Sequence, residues 1–167
     1  MPTVASIHIA PGRRLPTKSV DQVEAQGGAG LVGDRYHGSR HRHVTIQSAP
    51  DLADASHDWG QPIDPGQTRR NITITDGPLP TRPGDPIRIG DVHLEVVRIA
   101  APCRIMDDCV GEGAMRALHN RGGVVARLLT SGTIRVGDAV DLAPEPLAEH
   151  LRISPPIAAS RPGPRLP

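Results

Sequence analysis

At 167 residues the chain is long enough to bury one core, yet it has no Phe, one Trp and one Tyr, so packing falls to Val, Ile, Leu and Ala. A formal net charge of +1 argues against a nucleic-acid binder held by bulk electrostatics. The two cysteines, Cys103 and Cys109, match neither a disulfide scaffold nor the C-x-x-C spacing of zinc ribbons, and no apolar run approaches membrane-spanning length. In chain order, alternating apolar residues bounded by turn residues predict strands over Val4–Ile9, Val20–Glu24, His43–Gln47, Asn71–Thr75, Pro86–Ile89, Val92–Ile99, Val124–Leu129 and Ala139–Leu142. Gly90-Asp91 marks a hairpin turn. Ser48, with Pro50 in the first turn and Gly60 beyond, predicts a helix through His57, and Gly113 to Asn120 predicts a second, ending near Gly122.

Many short strands with few helices point to a mainly β protein, a closed or nearly closed β-barrel. The expected domain covers residues 1–143. Seven of the last 24 residues are proline, so residues 144–167 are expected to form a flexible tail without chemistry. Without a basic-then-apolar leader at Met1, the protein is expected to be soluble and cytoplasmic.

Two motifs invite a wrong reading. Gly28 to Gly33 spells G-x-G-x-x-G, but Asp21 to Gln26 before it is too polar for a buried parallel strand, and Asp34 to Gly38 after it opens no amphipathic helix. The glycines instead permit a tight excursion that presents Asp34 and Arg35. His37, His41 and His43 suggest zinc, but Arg40 and Arg42 interleave with them and oppose a cation.

The remaining features are Lys18-Ser19, Gly33-Asp34-Arg35, Arg69-Arg70-Asn71, and Cys103 behind Pro102. They combine cationic forks, small hydrogen-bond donors and one soft thiol beside an arginine, a set suited to an anionic ligand that carries both a phosphate and a soft metal. Of the basic residues 18 are arginine and only Lys18 is lysine, so a Schiff base to pyridoxal phosphate could form nowhere else; that cofactor is not expected.

In Gly30-Leu31-Val32-Gly33-Asp34-Arg35-Tyr36, Arg69-Arg70-Asn71-Ile72, Pro86-Ile87-Arg88-Ile89-Gly90, Pro102-Cys103, Arg121-Gly122-Gly123 and Gly132 to Asp138, residues 4–143 resemble the MOSC domain family, named for the C-terminal region of molybdenum cofactor sulfurase, and its small bacterial members above all. The resemblance implies a β-barrel that binds molybdenum cofactor, a molybdopterin, with Cys103 as the metal's thiolate ligand. It also implies that Lys18, Ser19, Arg35, Arg69 and Asn71 hold the cofactor, with Arg70 the variable middle residue. Cys109, next to the carboxylates of Asp107 and Asp108, is expected to be incidental. The functions implied are a molybdenum-dependent oxidoreductase acting on N-hydroxylated or similar small molecules with external electron-transfer proteins, a sulfur carrier that takes a persulfide onto Cys103 from a cysteine desulfurase, or a cofactor-binding module without turnover.

Overall fold

The computed structural model describes residues 1–153. Strands β1 (Val4–Ile9), β2 (Lys18–Val20), β3 (Gln22–Gln26), β4 (Gly30–Leu31) and β5 (Val44–Ser48) lead into helix α1 (Ala49–Trp59). After β6 (Ile72–Ile74), β7 (Pro86–Ile89) and β8 (Val92–Ile99) come two short helices, α2 (Ile105–Cys109) and α3 (Ala114–Ala117), then β9 (Val124–Leu128), β10 (Gly132–Arg135) and β11 (Val140–Asp141). Eight strands form one strongly curled sheet in the order β11-β7-β8-β9-β5-β6-β1-β2, and β10-β3-β4 form a smaller one. Among the described residues the paired strands are antiparallel except β5 with β6, which α1 separates in sequence.

The curl brings Thr3 to Ala139 as an isolated bridge, and Val4 N–H donates to the Asp138 carbonyl at 2.9 Å. The barrel is therefore nearly closed, with its seam held by single contacts rather than by a continuous ladder. Its interior is aliphatic. Ile7, Ile46, Ile72, Ile74, Ile87, Ile89, Leu94 and Leu128 are all fully buried, so β-branched side chains fill the volume that aromatic rings occupy elsewhere. A smaller cluster of Leu52, Ala55, Ile63, Met106 and Leu118 lies under the helices, where Trp59 packs and donates its indole N–H to the Glu112 carbonyl at 2.8 Å. One ion pair is buried in the wall: Arg127 donates to Glu95 Oε1 at 2.5 and 2.9 Å.

β1, β7 and β8 have the bounds expected from alternation. The expected strand over Val20–Glu24 is instead two strands that belong to different sheets, and the chain switches sheets at Asp21. The glycines from Gly28 to Gly33 serve the turns around β4, with no helix after them. Ser48 accepts from the Asp51 N–H and α1 runs to Trp59, two residues beyond His57. The expected helix from Gly113 shrinks to a single turn, and α2 was not foreseen at all. Arg152 contacts Glu95 Oε2 at 2.6 Å, and Ile153 N–H donates to the Leu129 carbonyl at 2.8 Å. The rest of the proline-rich tail lies outside the described residues. Among the described residues no helix is long and apolar enough to cross a membrane.

Candidate functional site

β8 ends at Ile99, and its continuation, Ala100-Ala101-Pro102, sets Cys103 in an exposed position two residues before α2. Arg70 fixes that segment. It is almost wholly buried, donating from Nε to the Gly122 carbonyl at 2.8 Å and from a terminal nitrogen to the Ala100 carbonyl at 3.1 Å. Burial, and next the charge of Arg42, push its guanidinium down to about 10, while Cys103 and Tyr36 act the other way; at neutral pH it stays charged.

Cys103 opens onto a cleft of about 450 Å³ whose wall holds six arginines, Arg13, Arg35, Arg42, Arg69, Arg70 and Arg98, and no carboxylate. Tyr36 organises two of them. The Arg35 and Arg42 guanidinium carbons lie 4.5 and 4.4 Å from its ring centroid, and Arg35 donates to its hydroxyl at 2.9 Å. Burial lowers the Arg42 pKa, Tyr36 opposes that, and Arg98 and Arg35 lower it further. The Nε atoms of Arg35, Arg42 and Arg69 are buried without a hydrogen-bond partner among the described residues. Six arginines that line one cleft without a carboxylate form a receptor for an anion.

A second cavity, of about 620 Å³, lies beside the first and shares Arg69 with it; Ser19, His8 and Cys109 line it. Arg69 sits in the left-handed region (φ 62°), and its head donates to the carbonyls of Leu15 at 2.5 Å and Gly12 at 3.4 Å. That backbone twist, costly for a residue with a Cβ, orients it toward the loop after β1.

Of the residues singled out in the sequence, Cys103, Arg35 and Arg69 therefore share one cleft. Ser19 opens on the neighbouring cavity. Lys18 pairs with Ile9 in the β1–β2 ladder, is exposed and lines neither space. Asn71 is buried in the framework: its Oδ1 accepts from the Thr45 N–H and hydroxyl, and its Nδ2 donates to the His8 carbonyl and Asp34 Oδ1. Its hydrogen-bonding capacity is spent inside the protein. Arg70, the middle residue of that triplet, holds the thiol segment. Arg13, Tyr36, Arg42 and Arg98 also escaped the sequence reading; the Arg40-His41-Arg42 alternation was the one signal for Arg42.

The histidine cluster is dispersed into hydrogen bonds. His43 uses both ring nitrogens, on the Leu128 N–H and the Ser39 carbonyl at 2.9 Å each, and His37 bonds Gln26. Among the described residues no group of His, Cys, Asp and Glu is placed to hold a metal ion.

Solved structures share this architecture at low identity. The YuaD protein from Bacillus subtilis aligns with a TM-score of 0.72 at 18% identity, covering 84% of this chain and 94% of its own. YiiM from Geobacillus stearothermophilus aligns at 0.67 and 16%, covering 86% and 76%. YiiM from Escherichia coli aligns at 0.62 and 15%, covering 86% and 70%. No curated protein matches the chain. The MOSC domain model, however, matches residues 33–141, a span that runs from the glycine turn through the arginine triplet and Cys103 to the last strand. With the curled barrel and the thiol-bearing cleft in place, that match settles the family: the chain belongs to the MOSC domain family.

Proposed function

We propose that the protein binds molybdenum cofactor in the arginine-lined cleft, with Cys103 as the protein ligand to the metal, and that it works as a molybdenum-dependent oxidoreductase on N-hydroxylated or similar small molecules. The MOSC domain family is associated with molybdenum cofactor binding. The observation that carries the reading is the convergence of six guanidiniums and one exposed thiol on a single cleft without a carboxylate. A molybdopterin presents an anionic phosphate and a soft metal, and the residues fit both demands. The arginine lining suits the anion, and the exposed Cys103 offers a soft donor.

When bound, the cofactor supplies a metal that passes two electrons during oxygen-atom transfer. The chain supplies the rest. Arg35 and Arg42, stacked on Tyr36, bind negative charge; Arg70 orients the segment that carries Cys103; Arg69 tethers the loop at the cleft edge. Electrons come from an external electron-transfer protein.

The test is molybdenum content. Protein made in a cofactor-competent host should carry about one metal per chain, and Cys103→Ser should lose it while keeping its circular dichroism and melting point. A metal-free wild-type protein from that host would overturn the reading. Bound metal without turnover of any N-hydroxylated compound would reduce it to a cofactor-binding module.

The exposure of Cys103 favours a second reading, a sulfur carrier. The Cys103 thiolate attacks the outer sulfur of a desulfurase persulfide, the S–S bond breaks, the desulfurase thiolate leaves, and Cys103 carries the persulfide. Intact mass after incubation with cysteine desulfurase and cysteine should then rise by one sulfur, at Cys103 and not at Cys109.

A further inference from the structure

The cleft holds more positive charge than the proposed cofactor needs. A phosphate monoester brings about two negative charges. Against it stand six arginines, and none of them has a carboxylate partner among the described residues, whose ion pairs involve Arg88, Arg121, Arg127 and Arg152 instead. Residues 154–167 contain neither Asp nor Glu. Arg69 and Arg70 spend hydrogen bonds on backbone carbonyls, and Arg35 and Arg42 lie inside, on Tyr36. Arg13 and Arg98 remain: both are exposed, both line the same cleft as Cys103, and neither donates a side-chain hydrogen bond within the described residues. Burial is the main cause that lowers the Arg42 pKa, and the charges of Arg98 and Arg35 in the same cleft lower it further. A low-dielectric cleft of one sign concentrates ligands of the other and repels its own.

We propose that the substrate is anionic: a small oxygen donor that carries a carboxylate or similar oxyanion besides its N–O group, with Arg13 and Arg98 receiving that second group at the mouth of the cleft. This rests on the oxidoreductase reading above. It narrows that reading, because a basic, protonated N-hydroxylated compound would be repelled. In the reaction the N–O bond breaks, the substrate nitrogen is reduced, and the oxygen leaves as water with two protons from solvent. The two electrons come from an external reductant, reduced viologen in the assay.

The test compares pyridine N-oxide 3-carboxylate with its 3-carboxamide, matched in size and differing in charge. The carboxylate should show about tenfold higher kcat/KM at low ionic strength, through KM rather than kcat, and salt should erode that preference. Arg13→Gln and Arg98→Gln, both at exposed positions, should shrink the ratio. Equilibrium dialysis of both compounds against the purified protein runs in parallel and decides the matter if neither turns over. Equal or weaker handling of the carboxylate, by turnover or binding, overturns the inference. If molybdenum is present and the ratio is near one, only the inference fails. If molybdenum is absent, the oxidoreductase reading fails; a carboxylate preference in dialysis that drops in both variants would then still support the anion selectivity of this cleft.

Discussion

Arg70 Nε donates to the Gly122 carbonyl at 2.8 Å, so the residue two before β6 is clamped to the residue two before β9, with the thiol-bearing segment caught by the same guanidinium through Ala100. The planar fork places Nε on one carbonyl and a terminal nitrogen on another in a fixed geometry, a spread that the single nitrogen of a lysine does not reproduce. Arg70→Lys should therefore destabilise the fold by about 2–4 kcal/mol in a urea titration, because buried carbonyls lose their donors. Hydrogen exchange around Ala101 to Cys103 should rise in the variant. An unchanged unfolding midpoint would mean that the clamp does not hold the segment.

The Arg121-Gly122-Gly123 element is tight for a steric reason. A Cβ on Gly123 (φ +83°) would lie 1.9 Å from the Ile46 carbonyl oxygen, and one on Gly122 would lie 2.3 Å from that of Ala100. Both obstacles are backbone, and the first sits where β5 and β9 begin to pair. Gly123→Ala should cost more than about 4 kcal/mol, enough to abolish soluble expression. Gly84→Ala, also at positive φ (+91°) but with open space around it, should cost only about 1–2 kcal/mol. Similar melting points for the two variants would contradict this account.

Asn71 sits at the junction of β1, β5 and the Asp34 turn, with both of its amide ends occupied. Asn71→Ala would take the side-chain acceptor from the buried Thr45 N–H, at about 1–3 kcal/mol, and would remove one of three donors to the Asp34 carboxylate, which keeps the Ala10 and Tyr36 N–H groups. Asn71→Asp should be worse near neutrality, since a second carboxylate would lie beside Asp34, and it should recover partly in acid as the pair takes up a proton. If Asn71→Ala instead kept its stability and lost only molybdenum, Asn71 would be a ligand-binding residue, as its triplet suggested, rather than a framework one.

These residues show what the sequence could and could not convey. β7 and β8 were legible to the residue because their buried apolar residues recur at a period of two, and β1 keeps its expected bounds although a bulge between Val4 and Ser6 breaks its alternation. β4 and β10 are short and begin with glycine; β4 is a two-residue partner of the adjacent β3 and β10 pairs with that same distant strand, so no apolar alternation announced them. α2 has no side-chain cap, which removed the usual start signal. The same limit governed the site. Cys103 and Arg35 stood out through their chemistry. The choice between Arg70 and Asn71, in contrast, depends on the left-handed turn at Arg69, which resets which side chain faces the cleft. Arg13 and Arg42 reach Cys103 only through long-range pairing of strands and loops, which spacing along the chain does not encode, whereas Arg98 stands five residues before it at the end of β8.

His43 makes stability depend on pH with a definite sign. Nδ1 accepts from the Leu128 N–H and Nε2 donates to the Ser39 carbonyl, so the neutral Nε2–H tautomer fits and a second ring proton would point at another donor. Burial, its largest cause, lowers the His43 pKa, and burial lowers that of His8 as well. In the unfolded chain both titrate near about 6.5. Below that value the unfolded state binds protons that the folded state refuses, so stability rises with pH. It should be complete above about pH 6.5 and fall as the medium is acidified toward the folded pKa, by at most about 1.4 kcal/mol per pH unit for each histidine. Urea midpoints at pH 7.5 and 5.5 would measure the drop. His43→Gln should start less stable at pH 7.5 and lose less between the two pH values; a wild-type midpoint that did not move over that range would rule out the buried neutral histidine.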